Sequence, residues 1–188
     1  EKRAEPETEP GSPEAKFSVV QARPPLTWTG EKLRAEWTEK QLGGTLDYEL
    51  RPWLRSRMPR FPARARGIAA GLAGQHGYPA TSPPLPKSDK EMARVGKRLA
   101  LRDGGFSCVS CHGVGKKPPE AVFEVPGTNF MYASERLRRE HFHRWMLDPS
   151  RVVKNSRMPQ FADDEARSPF TAYYAGDARK QFEAIWQW

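Results

Sequence analysis

The two cysteines of this chain lie in one pentapeptide, which constrains the fold more strongly than any other feature. Cys108, Cys111 and His112 form the pattern C-x-x-C-H. This is the attachment pattern for a c-type haem, in which the two thiols bond to the ring and the adjacent histidine binds the iron. A C-x-x-C pair also occurs in thiol-redox and zinc sites. The histidine directly after the second cysteine favours haem, and the fold must then enclose a large apolar ring.

The composition indicates how such a ring would be enclosed. The 188 residues are 37% hydrophobic and include 18 prolines and 15 glycines, so apolar burial is modest and loops are plentiful. A covalently bound apolar ring can stabilise a domain of this kind. No run of about 18 apolar residues is present, so we expect no membrane span. Because the sequence starts at Glu1 without a signal-like apolar segment, we interpret it as a mature or trimmed form that lacks its export signal.

The chain is basic. Lys and Arg number 31 against 23 Asp and Glu, which gives a net charge of +8. Such a charge suits nucleic acid, an anionic membrane surface or an acidic protein. No nucleic-acid motif is present and the arginines are scattered, so we expect no nucleic-acid partner. Two interpretations remain: a generally basic surface, or electrostatic steering towards an acidic redox partner.

Four segments are expected along the chain. Residues 1–16 are rich in Glu, Pro, Ala and Lys, which predicts a disordered tail, with order beginning near Phe17. Residues 17–78 form a first helical unit, and residues 79–87, with four prolines, form a linker. Residues 88–188 form the unit that carries the C-x-x-C-H motif.

Apolar spacing and stop signals predict an all-α chain. A capping-box spacing places the start of the second unit at Ser88, with Glu91 three residues on. Its helix presents Met92, Val95 and Leu99 on one face and ends before the motif, and a loop follows over residues 116–127. The other helices are expected over Glu31–Leu42, Leu46–Leu54 and Ser134–Leu147, with a last one capped by Asp177 and burying Phe182, Ile185 and Trp186.

Two blocks of sequence recur in the same order. Residues 31–36 (EKLRAE) recur at 135–140 (ERLRRE), and residues 56–61 (SRMPRF) recur at 156–161 (SRMPQF). The interval between the blocks is four residues longer in the first copy, which an insertion near Gly43 would explain. No cysteine stands near Ala4, where the first copy would need its motif. We therefore predict a duplication in which the first unit kept its methionine loop and lost its haem motif.

Residues 88–188 resemble class I c-type cytochromes. A helix with Gly96 and Leu99 precedes C-x-x-C-H, and a middle helix, a Met-Pro loop and a C-terminal helix follow. The resemblance implies the cytochrome c fold, whose first and last helices cross at the glycine. Residues 23–78 look like the later part of the same fold without the haem motif, as a smaller haem-less unit.

The resemblance also implies a ligand set. Cys108 and Cys111 hold one covalent haem c, His112 is the proximal iron ligand and Met158 the distal one, in the loop that continues with Pro159. The family has a proline carbonyl that binds the histidine ring, and three prolines after His112 are candidates for it: Pro118, Pro119 and Pro126.

Several other side chains compete for roles. His141 and His143 are rival distal ligands, and Trp145 and Arg157 are candidate partners of the haem propionates, with a solvated surface role as the alternative for the arginine. Met58 is expected to pack in a small core, or to ligate a haem from another chain or from a removed upstream segment. Of the remaining candidates, His76 is expected to be structural, and Met131 and Met146 are expected to lie in the core.

Together these observations predict a single-electron carrier rather than an enzyme. We expect a periplasmic or otherwise extracytoplasmic location, and an acidic redox partner or a larger respiratory or dehydrogenase complex as the partner. One alternative is the electron-outlet domain or subunit of such a dehydrogenase. Another is a gas or redox sensor in which Met158 is a labile ligand. A peroxidase-like role usually needs a second haem, and only one motif is present.

Overall fold

A computed structural model describes residues 26–52, 58–122, 126–154 and 156–188. The regular structure within these ranges is helical and includes no β-strand, which confirms the all-α expectation. The α-helices are α1 Thr29–Lys32, α2 Ala35–Gly43, α3 Ala65–Gly74, α4 Lys90–Ala100, α5 Ala133–Arg136, α6 Arg139–Leu147, α7 Pro149–Val152 and α8 Ala178–Gln187. Short 3₁₀ turns cover Pro62–Arg64, Cys108–Ser110, Phe130–Tyr132 and Tyr174–Gly176. The expected tail at 1–16 and the expected start of order at Phe17 lie outside the described residues.

No helix in these ranges is long and apolar enough to cross a membrane, as the sequence predicted. The longest regular segments instead pack on one another through small residues and aromatic side chains.

The crossing of α4 and α8 organises the second half of the chain. A Cβ atom at Gly96 would collide with the carbonyl group of Ala184, so only glycine permits this approach of the two backbones. Leu99 on α4 and Phe182 on α8 are fully buried beside the crossing. The Phe106 ring packs against the Phe182 ring, with centroids 5.6 Å apart. This contact brings the segment just before the motif onto the core.

The ends of the two crossing helices are capped by aspartates. Asp177 caps α8 as predicted, because its carboxylate accepts a hydrogen bond from the Lys180 amide. The predicted cap of α4 is wrong by one residue: Asp89, not Ser88, accepts from the amides of Glu91 and Met92. The Ser88 hydroxyl instead donates to the Gln187 carbonyl (2.6 Å), which joins the start of α4 to the end of α8.

Two expected helices are each interrupted once. The predicted helix Glu31–Leu42 is divided into α1 and α2 by extended backbone at Leu33 and Arg34. The predicted helix Ser134–Leu147 is divided in the same way at Leu137 and Arg138. The cause is a short antiparallel pairing of Leu33 with Leu137. Its backbone bonds, Arg34 N–H to Arg136 O (2.9 Å) and Arg138 N–H to Lys32 O (3.0 Å), replace those a continuous helix would form.

In the first half of the chain, α3 packs against α1 and α2. Its buried face consists of Ala65, Ala69 and Ala73. A Cβ atom at Gly30 on α1 would collide with the Leu72 carbonyl of α3. Trp37 and Leu42 on α2 complete this small core.

Three local expectations need correction. Residues 46–52 are not helical, and the rest of the predicted helix Leu46–Leu54 lies outside the described residues. Met58 is 45% exposed rather than packed in a core, and Met131 is 57% exposed, whereas Met146 is buried as expected.

The proline-rich residues 79–87 are non-helical, as expected, and are tied to α2 by a hydrogen bond from the Ser82 amide to the Glu36 carboxylate (2.5 Å).

Candidate haem site

The C-x-x-C-H motif forms a compact turn against the core. The amides of Cys111 and His112 both donate to the Cys108 carbonyl, at 3.2 and 3.0 Å. Cys108 is 7% exposed and belongs to the same buried cluster as Leu99 and Phe106, whereas Cys111 is half-buried. Both are free thiols. The turn therefore presents two cysteines from one short stretch of backbone, one of them inside the apolar core.

The environment of Cys108 argues against a thiol-redox role for the pair. Burial raises the pKa of the Cys108 thiol to about 12, with a smaller contribution from Cys111. Reactive redox cysteines have the opposite character, because a lowered pKa supplies the thiolate that attacks. An uncharged thioether, in contrast, suits this apolar position.

His112 is fixed by one ring nitrogen. Its Nδ1 lies 2.7 Å from the Thr128 carbonyl oxygen, and since a carbonyl only accepts, Nδ1 carries the proton. Burial lowers the pKa of His112, although the bond to Thr128 acts in the opposite sense. A neutral ring with a proton on Nδ1 leaves Nε2 with a free electron pair, as iron ligation requires.

The contact between His112 and Thr128 corrects one expectation. Three prolines, Pro118, Pro119 and Pro126, were candidates for the carbonyl that binds the ring, and a threonine provides it instead. Gly127 lies directly against the ring, and a Cβ atom there would collide with it. Phe130 stacks on the ring from 4.7 Å at an angle of 22°.

The loop around His112 is held by its own hydrogen bonds. The Gly127 amide donates to Cys111 O (2.7 Å) and the Phe130 amide to Gly113 O (2.9 Å). The Asn129 side chain accepts from the Gly115 amide (3.0 Å) and donates to the Gly115 carbonyl (2.7 Å). These bonds keep the carbonyl of Thr128 in place beside Nδ1 of the ring.

Met158 lies in the same part of the molecule as the motif. It is half-buried and packs against the cluster that contains Cys108. The indole N–H of Trp145 is 2.9 Å from its sulfur and donates to it. Pro159 and Arg157 are exposed on either side of it. Trp145, a candidate partner of the propionates, thus already uses its only donor on Met158.

The two histidines on α6 have different surroundings. His143 Nε2 is 2.7 Å from the Glu183 carboxylate on α8, so its ring is engaged in a hydrogen bond there. His141 is 2% exposed, and neither of its ring nitrogens has a hydrogen-bond partner. The Glu31 carboxylate lies 3.6 Å from His141 Nδ1, beyond normal hydrogen-bond length. The ring of His76 lies against Trp28, with centroids 6.0 Å apart.

Sequence reasoning missed the cations where the two halves meet. Arg136 and Arg138 are 8% and 4% exposed, and burial lowers the pKa of Lys32 to about 8. The repeat itself contained a signal for these cations, because EKLR and ERLR have a basic residue at the same position, Lys32 in the first block and Arg136 in the second. A basic residue that precedes the same leucine in both blocks is a signal for an interface between the blocks.

Comparison with protein-family models, curated proteins and solved structures found no match. Among the residues that the structure describes, no three or more His, Cys, Asp or Glu side chains cluster closely enough to hold a metal ion.

Proposed function

We propose that this chain carries single electrons on one haem c, covalently bound through Cys108 and Cys111, with His112 and Met158 as axial ligands. The observation that carries the proposal is the anchored His112 ring beside a buried C-x-x-C turn. When bound, such a haem supplies an iron that alternates between ferrous and ferric states, with a potential raised by methionine ligation. The chain's own residues orient the ring nitrogen, exclude water and hold the methionine.

The buried surroundings fit a covalently bound apolar ring. Cys108 lies within the core cluster, and Met158, Phe130 and Trp145 pack against that cluster. Thiols and an unprotonated imidazole nitrogen are the donor set that attachment and ligation require. The Trp145 N–H directs the Met158 sulfur, which fixes a thioether that would otherwise rotate.

The helix arrangement supports the class I cytochrome c fold for residues 88–188. In that family the first and last helices cross at a glycine, and here α4 and α8 cross at Gly96, just before the motif. A methionine loop then lies between the middle helices and α8, which is the order that the resemblance implies.

The arrangement of α1, α2, α5 and α6 supports the duplication. The helices α1 and α5 are each four residues long, and α2 and α6 are each nine. The pairing of Leu33 with Leu137 is reciprocal, because each block donates one backbone hydrogen bond to the other. The ion pair of Glu31 with Arg144 (2.6 Å) has its counterpart in that of Glu135 with Lys40 (3.2 Å). We propose that residues 17–78 are a haem-less copy.

The partner and location follow from the same proposal. A c-type haem places the working protein in the periplasm or another extracytoplasmic space, and a basic surface favours an acidic redox partner or a larger respiratory or dehydrogenase complex. Lys116 and Lys117 are exposed in the loop after His112, where they would meet such a partner. A steered encounter of this kind slows as ionic strength rises.

The test is production of the chain together with a bacterial haem c maturation system. We expect one covalent haem per chain, measured as a denatured haemochrome that stays with the protein in acid–acetone extraction. A Cys108→Ala, Cys111→Ala double variant should lose it, whereas Met131→Ala, at an exposed site, should retain it. A parent chain without covalent haem would overturn the proposal, and a ferrous parent that binds carbon monoxide would favour the sensor alternative.

A further inference from the structure

Two cations face each other where the two halves of the molecule meet. Lys32 ends α1 and Arg136 ends α5, so they occupy the same position in the two copies of the repeat. Arg136 is 8% exposed and Lys32 is half-buried. Each lies over an aromatic ring of the other half: Lys32 over Trp145 at 5.6 Å and Arg136 over Trp37 at 5.5 Å.

Neither cation has a carboxylate partner among the described residues. Glu31 and Glu135, the acidic residues beside them, are paired with Arg144 and Lys40. The Nε atom of Arg136 is buried without a hydrogen bond, and so are both ring nitrogens of His141, which lies in the same cluster. Arg138 differs, because its Nε donates to two backbone carbonyls, those of Gly30 and Leu33.

The electrostatic cost of this arrangement is high. Burial lowers the pKa of Lys32 to about 8, and repulsion from Arg136 and Arg51 adds to the effect. Burial likewise lowers the pKa of Arg136 to about 10, and Arg51 adds repulsion there too. Contacts with aromatic faces offset only part of the cost of a buried charge. A buried arginine and a half-buried lysine that have no carboxylate partner in the part of the chain that the structure describes therefore indicate a site for an anion.

Lys32 is connected to the candidate haem site through a side-chain contact, and Arg136 through the backbone. Lys32 contacts the same Trp145 ring whose N–H binds Met158. Arg136 is on α5, which directly continues the turn Phe130–Tyr132, and the Phe130 ring stacks on His112. A haem held by His112 and Met158 would bring two propionate carboxylates with it, and Lys and Arg form strong, charge-assisted hydrogen bonds with carboxylates.

We propose that Lys32 and Arg136 form a carboxylate-binding site between the two halves, and that the haem propionates occupy it. The inference rests on the proposed function, because that function supplies the carboxylates. It gives the haem-less half a role: Lys32 from the first half completes the environment of a cofactor attached to the second. The bound carboxylates also neutralise the two cations and so join the halves.

The first experiment measures the reduction potential of the haem-loaded protein and of its Lys32→Met variant. Loss of one nearby positive charge stabilises the ferric form, so at a fixed applied potential we expect the ferric-to-ferrous ratio to rise about tenfold. Lys32→Arg should match the parent because it keeps the charge. Lys40→Met is the matched control, since Lys40 also lies between the halves but is already paired with Glu135.

The second experiment observes the propionates directly. Redox-difference infrared spectra should show carboxylate bands that shift in Lys32→Met and in Arg136→Met but not in Lys40→Met. Unchanged bands together with an unchanged potential in both variants would overturn the inference while leaving the proposed function intact. A parent without covalent haem would instead be a failure of the proposed function.

The source of the carboxylate is tested with free anions. Citrate or phosphate, added to the haem-loaded parent at constant ionic strength, should change neither the potential nor the thermal midpoint, because propionates already fill the site. A concentration-dependent change that is absent from Lys32→Met would mean that a free anion occupies the site, which overturns its assignment to the propionates. If Lys32→Met does not fold, Arg136→Met provides the variant that has lost a positive charge at the site, and Lys32→Arg the variant that keeps it.

Discussion

At the scale of single residues, His112 is held by groups that sequence reasoning could only partly identify. The motif itself named the cysteines and the histidine, because their spacing is a chemical requirement. The carbonyl of Thr128 could not be named from the sequence, since any residue type offers a carbonyl and only the path of the loop decides which one reaches the ring. The close approach of the Gly127 backbone to the His112 ring could not be predicted either, because it also depends on the path of the loop.

The first prediction concerns the distal ligand. In a haem-loaded Met158→Ala protein the iron should lose its sixth ligand, so the ferrous form should bind carbon monoxide and the reduction potential should fall. Optical spectra with and without carbon monoxide, and a redox titration, measure both effects. Met131→Ala is the control, because Met131 is 57% exposed and outside the core.

A Met158→Ala protein with the spectrum and potential of the parent would show that another residue ligates the iron. His143 is a poor substitute because it is paired with Glu183 on the surface, and His141 is enclosed between the two halves of the molecule.

A second residue-scale prediction uses the contact of Gly127 with the ring. Gly127→Ala should push the His112 ring away from Thr128 and destabilise the fold by about 1–3 kcal/mol, the usual range for overpacking. Urea unfolding measures the loss. Gly71→Ala is the matched control: a Cβ atom there meets nothing within 4 Å, and alanine in the interior of α3 should stabilise by about 0.5–1 kcal/mol.

At the scale of elements, the periodic pattern located the helices better than it located their breaks. The apolar spacing over residues 31–42 and 134–147 is helical, and most of those residues are helical in the structure. The break at Leu33 depends on Leu137, more than one hundred residues away in sequence. The local spacing of apolar residues cannot reveal a pairing partner so far away. The recurrence of the two blocks did indicate that the two segments are related to each other.

The crossing of α4 and α8 gives a prediction about elements. Gly96→Ala should place a methyl group on the Ala184 carbonyl, and the helices can relieve the collision only by separating. Because the core beside the crossing would then open, we expect a loss of about 3 kcal/mol or more in the free energy of unfolding. Thermal unfolding measures it, with Gly71→Ala again as the control. A Gly96→Ala protein as stable as the parent would contradict this crossing.

The contact between α6 and α8 should depend on pH. Burial alone would raise the pKa of Glu183, but hydrogen bonds from Gln187, Arg139 and His143 outweigh it and lower the pKa. A carboxylate with a lowered pKa in the folded state stabilises the fold above its unfolded pKa, and this contribution is lost as pH falls through the folded value. Stability should therefore decline below about pH 4.3, the ordinary value for glutamate.

The control for this pH effect is Glu183→Gln. It should lower stability at pH 7 by about 1 kcal/mol, because the site is partly exposed and water screens the ion pairs. It should also flatten the acid limb of a plot of urea midpoint against pH. An unchanged acid limb would assign that part of the pH dependence to other carboxylates.

At the scale of the whole molecule, the two halves are joined by two ion pairs at corresponding positions of the repeated blocks, and these pairs differ in burial and length. The Glu31 carboxylate is 14% exposed and lies 2.6 Å from Arg144, whereas the Glu135 carboxylate is 43% exposed and lies 3.2 Å from Lys40. The better buried pair also has Trp28 stacked under the Arg144 guanidinium at 4.8 Å. Desolvation makes the removal of one partner costlier, so the first pair should matter more than the second.

The last prediction compares the stability that is lost when the glutamate of each ion pair is replaced by glutamine, so that each variant is the control for the other. Glu31→Gln should destabilise the chain by about 2 kcal/mol, because it leaves Arg144 unpaired beside Lys32 and His141. Glu135→Gln should cost less than about 1 kcal/mol. Urea unfolding followed by tryptophan fluorescence measures both, since Trp37 and Trp145 report from the two sides of the interface. If the halves support each other as the paired repeats suggest, Glu31→Gln should shift a single transition. A separate early transition of the first half would show instead that each half folds alone.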